Sequence, residues 1–424
     1  MLTVDEAIAA STERAFHLLE ALVAEPSVIG HEAGAQEVLA TALREAQFEI
    51  IRLQIPTEIG ADPAAGVPRL PYIGRFDVIG LRGFPGVGRS LVINGHMDVV
   101  PAEDASRWSS PPFEPTRRDG WLVGRGAGDM KAGFAAGLLA IWALDQAEPG
   151  WLTGSLSIVS VIEEEATGNG TLAAGRAGHL GEAALLLEPT ELEILLGGIA
   201  LIWVSVELEG RAGHAEAAQA SVNPIRAVSS IIDELLALEA EMNAEHREGP
   251  LRDAAFVDIE HPYNVNIGKV NAGDWASSVP SVARLEVRIG HPRHWTSDQA
   301  FERVRSAVLA ATARDEWFAE HPPVVAMSGY RAERYFQDPQ ADIVGALSLA
   351  HEAVHATAPP LVTIGSTTDA RFYLNQFGVP AVAYGPRTRN MHGTDEAVEL
   401  DSIVECARVV ARFLREWFRD GEAS

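Results

Sequence analysis

Short runs of branched apolar residues, each followed by a helical stretch, constrain this chain more than any other feature. "RSLVINGHMDVVP", "LTGSLSIVSVI", "EAALLLEPT" and "VPAVAYGP" are such runs. A strand that is apolar on both sides is buried on both sides, as in a parallel sheet covered by helices. The intervening segments fit that picture. "MKAGFAAGLLAIWALDQ" is rich in small residues, so it can pack closely on a sheet, and "ADIVGALSLAHEAVHAT" and the stretch from Asp401 carry apolar residues at helical spacing. The expected fold class is α/β, a mainly parallel central sheet flanked by helices.

The rhythm breaks near Gly198. "IALIWVSVELEGRAGHA" alternates with period two, as a half-exposed antiparallel strand does. A helix follows ("NPIRAVSSIIDELLALEAEM"), then two strand-like pieces ("NVNIGKVNAG", "ARLEVRIG") and another helix ("SDQAFERVRSAVLAAT"). That order predicts an inserted α+β sandwich. The expected organisation is a catalytic domain in two parts, residues 1–197 and 332–424, around an insertion spanning 198–331.

Composition narrows the partners. The 424 residues carry a formal net charge of −26, which argues against nucleic acid or an anionic membrane surface. The single cysteine, Cys406, allows neither an internal disulfide nor a thiolate metal cluster, and its apolar-periodic setting predicts a helix core position. The N-terminal stretch reads as an amphipathic helix rather than a signal peptide, and no run approaches the ~20 apolar residues of a membrane span. A cytoplasmic location is the expectation. The sequon at Asn169 is taken as chance.

The chemistry-bearing residues gather where the strands end. His96 and Asp98 close "LVINGHMDVV", two apart and so on one face of an extended chain. Glu163, Glu164 and Glu165 end the next apolar run, and Glu188 ends "EAALLLEPT". Asp129 lies in the glycine-rich turn "GRGAGDMKAG" before a helix, and His392 follows "VPAVAYGP" in a loop. Singly each has an ordinary explanation: a hydrogen-bonded His-x-Asp pair, a solvated acidic run, a turn-capping aspartate. Ligands of open α/β sheets, however, collect at the carboxyl ends of the strands. Two histidines and several carboxylates at one edge suit zinc or another first-row dication. The glycine-rich turn matches neither nucleotide-binding fingerprint.

These motifs, "NGHMDVVP", "GRGAGDMKAG", "IEEE", "LLLEPT", "GRAGHA" and "MHGTDE", resemble in order and spacing those of the zinc amidohydrolases that include acetylornithine deacetylase, succinyl-diaminopimelate desuccinylase, aminoacylase and carboxypeptidase G2. The resemblance runs from about residue 72 to the C-terminus. It implies two divalent metal ions, zinc first with cobalt or manganese as alternatives. His96 and Glu188 would hold one, Glu165 and His392 the other, with Asp129 between them. It further implies that Asp98 orients His96, that Glu164 is the general base, and that His214 reaches the oxyanion across a homodimer formed by the lid. The activity implied is hydrolysis of a small N-acyl compound, an N-acyl amino acid in the first place. A dipeptidase or carboxypeptidase is the alternative, and a non-catalytic binding protein a more distant one.

The chain departs from the family pattern in two places. Glu163 stands where aspartate is common, and is read as a neutral change at a structural position. "SSVP" replaces the usual Asn-Val-Val-Pro or Asn-Val-Ile-Pro, leaving Asn264 or Asn271 to supply a substrate-facing amide. The "GDWASSVP" form is similar to that of formylaminopyrimidine deformylase and acetylornithine deacetylase. Arg371, in "GSTTDARFY", is a candidate clamp for a substrate carboxylate, with pairing to Asp369 as the plain alternative. His351 and His355 are expected on a helix surface, His291 and His294 in a polar loop, His261 beside Pro262, and Trp203 and Trp275 in a core or interface.

Overall fold

The computed structural model describes residues 2–249 and 252–419. Its main sheet has nine strands. Eight follow one path: Glu49–Gln54, Phe76–Gly83, Ser155–Val161, Ser90–His96, Ala184–Leu186, Ala381–Ala383, Ile194–Gly198 and Tyr335–Phe336; Leu361–Ile364 pairs with Ile194–Gly198 off that path. The middle is parallel. Ser90–His96 runs parallel to both neighbours, and Ala381–Ala383 runs parallel to Ala184–Leu186. The first three strands of the path pair antiparallel, as do Ala381–Ala383 and Tyr335–Phe336 with Ile194–Gly198. Leu361–Ile364 pairs parallel with Ile194–Gly198, so the expectation of a mainly parallel sheet describes the centre and this outer strand, with antiparallel pairs at the remaining margins.

Helices Val4–Ala24, Ala132–Ala147, Asp342–His355 and Leu400–Arg419 form the larger core on one face. The Leu400–Arg419 stripe, with Ile403, Cys406, Val410, Phe413 and Trp417 all buried, places Cys406 in the core. Removing a ring such as Phe413 from that stripe costs about 3–5 kcal/mol. Ala132–Ala147 lies so close to the sheet that a Cβ on Gly133 would sit 2.0 Å from the Leu187 carbonyl oxygen. Small residues there bring the segment that begins with Asp129 against the strand end that carries Glu188. By length and hydropathy Ala127–Ala147 does reach the range of a membrane span, contrary to the sequence reading, but its most apolar 18-residue stretch is buried inside the fold. Asn169 is also buried, its amide bonded to the Gly66 carbonyl and the Tyr72 hydroxyl, so it is no glycan acceptor in this fold.

The insertion is a four-stranded antiparallel sheet in the order Val265–Ala272, Val282–His291, Ala200–Glu209, Val324–Ala332. Helices Pro224–Glu248 and Ser297–Thr312 cover one face, giving the β-α-β-β-α-β order of a split βαβ unit. Ile202, Val204, Val206 and Leu208 point into this core while alternate residues face out, which is the period-two pattern seen in the sequence. The fourth strand, Val324–Ala332, was not anticipated. Nor was His291, which ends a strand and is buried rather than lying in a polar loop.

Candidate metal centre

His96 is the last residue of its strand and is almost fully buried. Its Nδ1 lies 2.9 Å from the Asp98 backbone carbonyl, an atom that only accepts, so the ring donates there. Nε2, on the other side of the ring, lies 3.0 Å from Asp129 Oδ1 and 3.8 Å from Glu188 Oε2, and in the neutral ring it would be the atom free to ligate a metal ion. The Asp98 carboxylate is 3.8 Å from Nδ1 and instead accepts the backbone N–H groups of Glu164 and Glu165, at 3.2 and 3.0 Å. Asp98 therefore orients His96 through its main chain and the glutamate turn through its side chain. The sequence suggested a carboxylate–imidazole contact, and the division of labour differs.

Asp129 is shared. One oxygen faces His96 and the other lies 3.1 Å from His392 Nε2, which is also 3.1 Å from Glu165 Oε1. Glu396, not singled out from sequence, holds this aspartate in place. Its buried carboxylate accepts the backbone N–H groups of Gly126, Gly128 and Asp129 at 3.0, 3.0 and 3.1 Å and pairs with Arg125. Arg125 also donates to the His392 carbonyl at 3.2 Å, so one buried ion pair braces Asp129 and the His392 loop together. A small sheet of two- and three-residue strands, Thr388–Arg389, Ala397–Glu399, Trp121–Val123 and Thr116–Arg118, brings the two segments side by side.

The consecutive glutamates point three ways. Glu163, fully buried, accepts from Arg75, from the Tyr72 hydroxyl at 2.5 Å and from Thr167 Oγ1 at 2.8 Å, and Arg75 in turn pairs with Glu32. It anchors the turn, and its extra methylene over aspartate is taken up by that reach. Glu165 faces His392. Glu164 is 7% exposed and touches Tyr330 of the insertion.

Two ligand sets result, His96–Asp129–Glu188 and Asp129–Glu165–His392, with the donor atoms of each within 4.8 Å of one another. Metal–ligand bonds of about 2.0–2.2 Å place donors of one ion at such separations. The electrostatics fit as well. Burial pushes the Glu188 and Asp98 carboxyls up to about 8, and burial also raises Glu164 well above the usual range. Glu165 foremost, against the opposing pull of burial, raises His392 to about 11. Burial opposes charge on Asp129, yet its bonds to His392 and His96 hold it below the ordinary carboxylate range. A site this rich in reluctant carboxylates suits dications, the largest charges such a site can hold.

The remaining candidates belong to neither ligand set. His214, with a side chain 72% exposed, sits on the insertion in a two-residue strand paired with Ser278–Val279 of "SSVP", and its Nδ1 accepts the Glu216 N–H. Asn264 donates to the His261 carbonyl and Asn271 is exposed. Trp275 is exposed, so it is no core residue of this chain; Trp203 stacks edge-on with Tyr330. Arg371 is no open clamp. It is 3% exposed, donates to the Thr368 and Thr167 carbonyls and lies 3.3 Å from Asp369, so the plain alternative describes its geometry. His351 is also misplaced by the sequence reading: it is buried, with Nδ1 2.8 Å from the Tyr384 hydroxyl.

Residues 92–416 match the family described as Peptidase family M20/M25/M40. The chain belongs to that family. An M20/M25/M40 relative, the succinyl-diaminopimelate desuccinylase of Rhodospirillum rubrum, is 30% identical over 421 residues, covering 95% of this chain and 97% of that one. The N-formyl-4-amino-5-aminomethyl-2-methylpyrimidine deformylase of Bacillus subtilis is 27% identical over 346 residues, covering 77% and 79%. Among solved structures, a di-peptidase of Saccharomyces cerevisiae superposes with a TM-score of 0.78 at 15% identity, covering 98% of each chain. A dinuclear metal-binding M20 peptidase of Bacillus subtilis gives 0.60 at 15%, covering 97% of this chain and 99% of that one. The structural likenesses establish the fold. Membership of the family makes the protein a metal-dependent hydrolase of amide bonds.

Proposed function

We propose that this M20/M25/M40 enzyme is a dinuclear deacylase that releases the amine of a small N-acyl compound, an N-acyl amino acid in the first place. The observation that carries the proposal is Asp129 shared between two histidine-containing ligand sets, with the Glu164 carboxylate beside them. In this reading His96, Asp129 and Glu188 hold one ion and Asp129, Glu165 and His392 the second, zinc before cobalt or manganese. Such ions lower the pKa of a water toward ~7 and polarise the amide carbonyl. Glu164 does the proton work. Its Oε2 lies 3.2 Å from the Tyr330 hydroxyl, leaving Oε1 to take the proton of the attacking water and deliver it to the nitrogen of the departing amine. His214 donates to the developing oxyanion, from a second copy of the chain paired through the insertion. Its exposure on the insertion fits that role. Two relatives, a desuccinylase matched over 95% of this chain and a deformylase matched over 77% of it, favour a deacylase over a dipeptidase.

The test is chelation, followed by re-addition of zinc, cobalt or manganese, assayed on N-formyl, N-acetyl and N-succinyl amino acids and on dipeptides. Loss and recovery of activity on an N-acyl amino acid is expected. Activity that survives removal of the metal, or is confined to dipeptides, overturns the reading.

A further inference from the structure

An aromatic side chain of the insertion reaches the glutamate turn. Tyr330, on strand Val324–Ala332, donates its hydroxyl to the Glu164 backbone carbonyl, and the same oxygen lies 3.2 Å from Glu164 Oε2. One phenolic proton thus has two acceptors on one residue: the backbone carbonyl ties the turn to the ring, and the contact with Oε2 bears on where the carboxylate points. The ring has two packed neighbours: Trp203 lies edge-on with centroids 5.3 Å apart, and the Arg371 guanidinium lies 5.1 Å from the ring centre. This accounts for the inward-turned Arg371, which braces the tyrosine instead of meeting substrate. The strand is itself clipped to the catalytic layer. Val67 and Gly329 exchange backbone hydrogen bonds of 2.7 and 3.2 Å. Gly329 has φ +66, and a Cβ there would lie 2.5 Å from the Trp203 ring and 3.0 Å from the Ala166 carbonyl, so only glycine lets the strand come this close.

We propose that Tyr330 is a positioning residue for amide hydrolysis: its hydroxyl sets the Glu164 carboxylate at the ligand pair, and the clip to Val67 holds that hydroxyl in place. The inference rests on Glu164 being the general base. A carboxylate misplaced by about 1 Å loses on the order of 10²-fold in rate.

The test is Tyr330→Phe in the full-length, metal-loaded enzyme, which keeps the ring against Trp203 and Arg371 and removes only the hydroxyl. A fall in kcat of roughly 10- to 100-fold is expected, with KM and bound metal unchanged. The same substitution in a Glu164→Asp background, where the shorter side chain withdraws from the hydroxyl, costs far less. Gly66→Ala provides the second variant, since its methyl would lie 2.8 Å from both the Gly329 carbonyl oxygen and Thr167 Cβ and so presses on the clip and on the glutamate turn together. It is expected to lower kcat, and an unchanged kcat overturns the role given to the clip. Costs of Tyr330→Phe that agree within about twofold in the Glu164 and Asp backgrounds, the mark of independent sites, overturn the proposal. So does a kcat loss that tracks lost metal, or a wild-type kcat in Tyr330→Phe. Glu164→Gln separates the two layers: an active Glu164→Gln enzyme sinks the base assignment, whereas an inactive one beside a silent Tyr330→Phe sinks the tyrosine alone.

Discussion

The rim of the main sheet and the motif-bearing tip of the insertion carry the same kinds of side chain and hold them in opposite ways. At the rim His96, Asp98, Asp129, Glu164, Glu165 and Glu188 are buried, and the backbone around them is fixed by Glu396, Arg125 and Asp98. At the tip His214, Trp275 and the serines of "SSVP" face water, and the His214 ring accepts only a neighbouring backbone N–H. Preorganised polar groups need no rearrangement as charge develops, which is where most electrostatic catalysis comes from. The rim has that property within one chain. The tip gains it only by closing on something, and the predictions below ask whether that something is a second copy.

The largest effect belongs to the rim. Glu164→Gln keeps the shape and removes the base, so kcat falls on the order of 10³- to 10⁴-fold, in the upper range for general acid–base catalysis. Metal analysis of the same sample shows both ions retained. A wild-type rate would mean that the rim binds metal and leaves the proton to another group.

His214→Ala comes next. An oxyanion donor is worth about 10²- to 10³-fold in kcat, with KM little changed. If the donor crosses between subunits, mixing His214→Ala with Glu164→Gln protein under exchange conditions regains activity that neither has alone. The heterodimer pairs an intact Glu164 on one chain with an intact His214 on the other. Failure of the mixture to recover, with subunit exchange verified, would place the tip's closure within one chain and remove the contrast between the regions.

Glu396→Gln sharpens the rim side. It loses the charge that faces Arg125 and weakens the cradle of three N–H donors behind Asp129. Groups that orient metal ligands in this way cost about 10- to 100-fold in affinity when changed. A competition titration with zinc reads the loss directly, and zinc added in excess is expected to restore most of kcat.

How much of this was legible follows the range of the interactions. His96, Glu188 and the run of three glutamates were visible because each closes an apolar run, and strand ends of an α/β sheet meet at one edge; the choice of Glu165 as ligand and Glu164 as base came from the family resemblance, and the places of Asp129 and His392 from motif order. What braces them was not visible. Glu396 meets Gly126 and Arg75 meets Glu163 across long stretches of sequence, with no periodic signal to link them. Tyr330 was missed because its strand is interrupted by a register shift between Met327 and Arg331 and by the left-handed Gly329, which erase the period-two pattern. The small sheet beside Asp129 has strands of two or three residues, shorter than any period can register. Arg371 misled because an arginine in a polar turn looks the same whether it points out to a substrate or in toward Thr167 and Asp369.

His351 gives the smallest effect and a control for the contrast. It is buried like His96, but its partner is the Tyr384 hydroxyl and its neighbour is His355, with ring centroids 4.3 Å apart. Burial first, and then the charge of His355, depress its pKa from 6.5 to about 4. The sign follows from linkage. As pH falls from 6.5 toward 4, the unfolded chain takes up a proton that the folded chain refuses, so stability present above 6.5 is lost across that window. His96 and His392 are raised instead, because carboxylates surround them. Unfolding midpoints in denaturant, measured at steps between pH 7 and 4, should fall more steeply for the wild type than for His351→Phe, while kcat at neutral pH stays the same in both. Equal slopes would show that His351 takes up its proton within the fold. Burial alone would then not distinguish this histidine from His96, and the carboxylates around His96 would have to account for the whole difference.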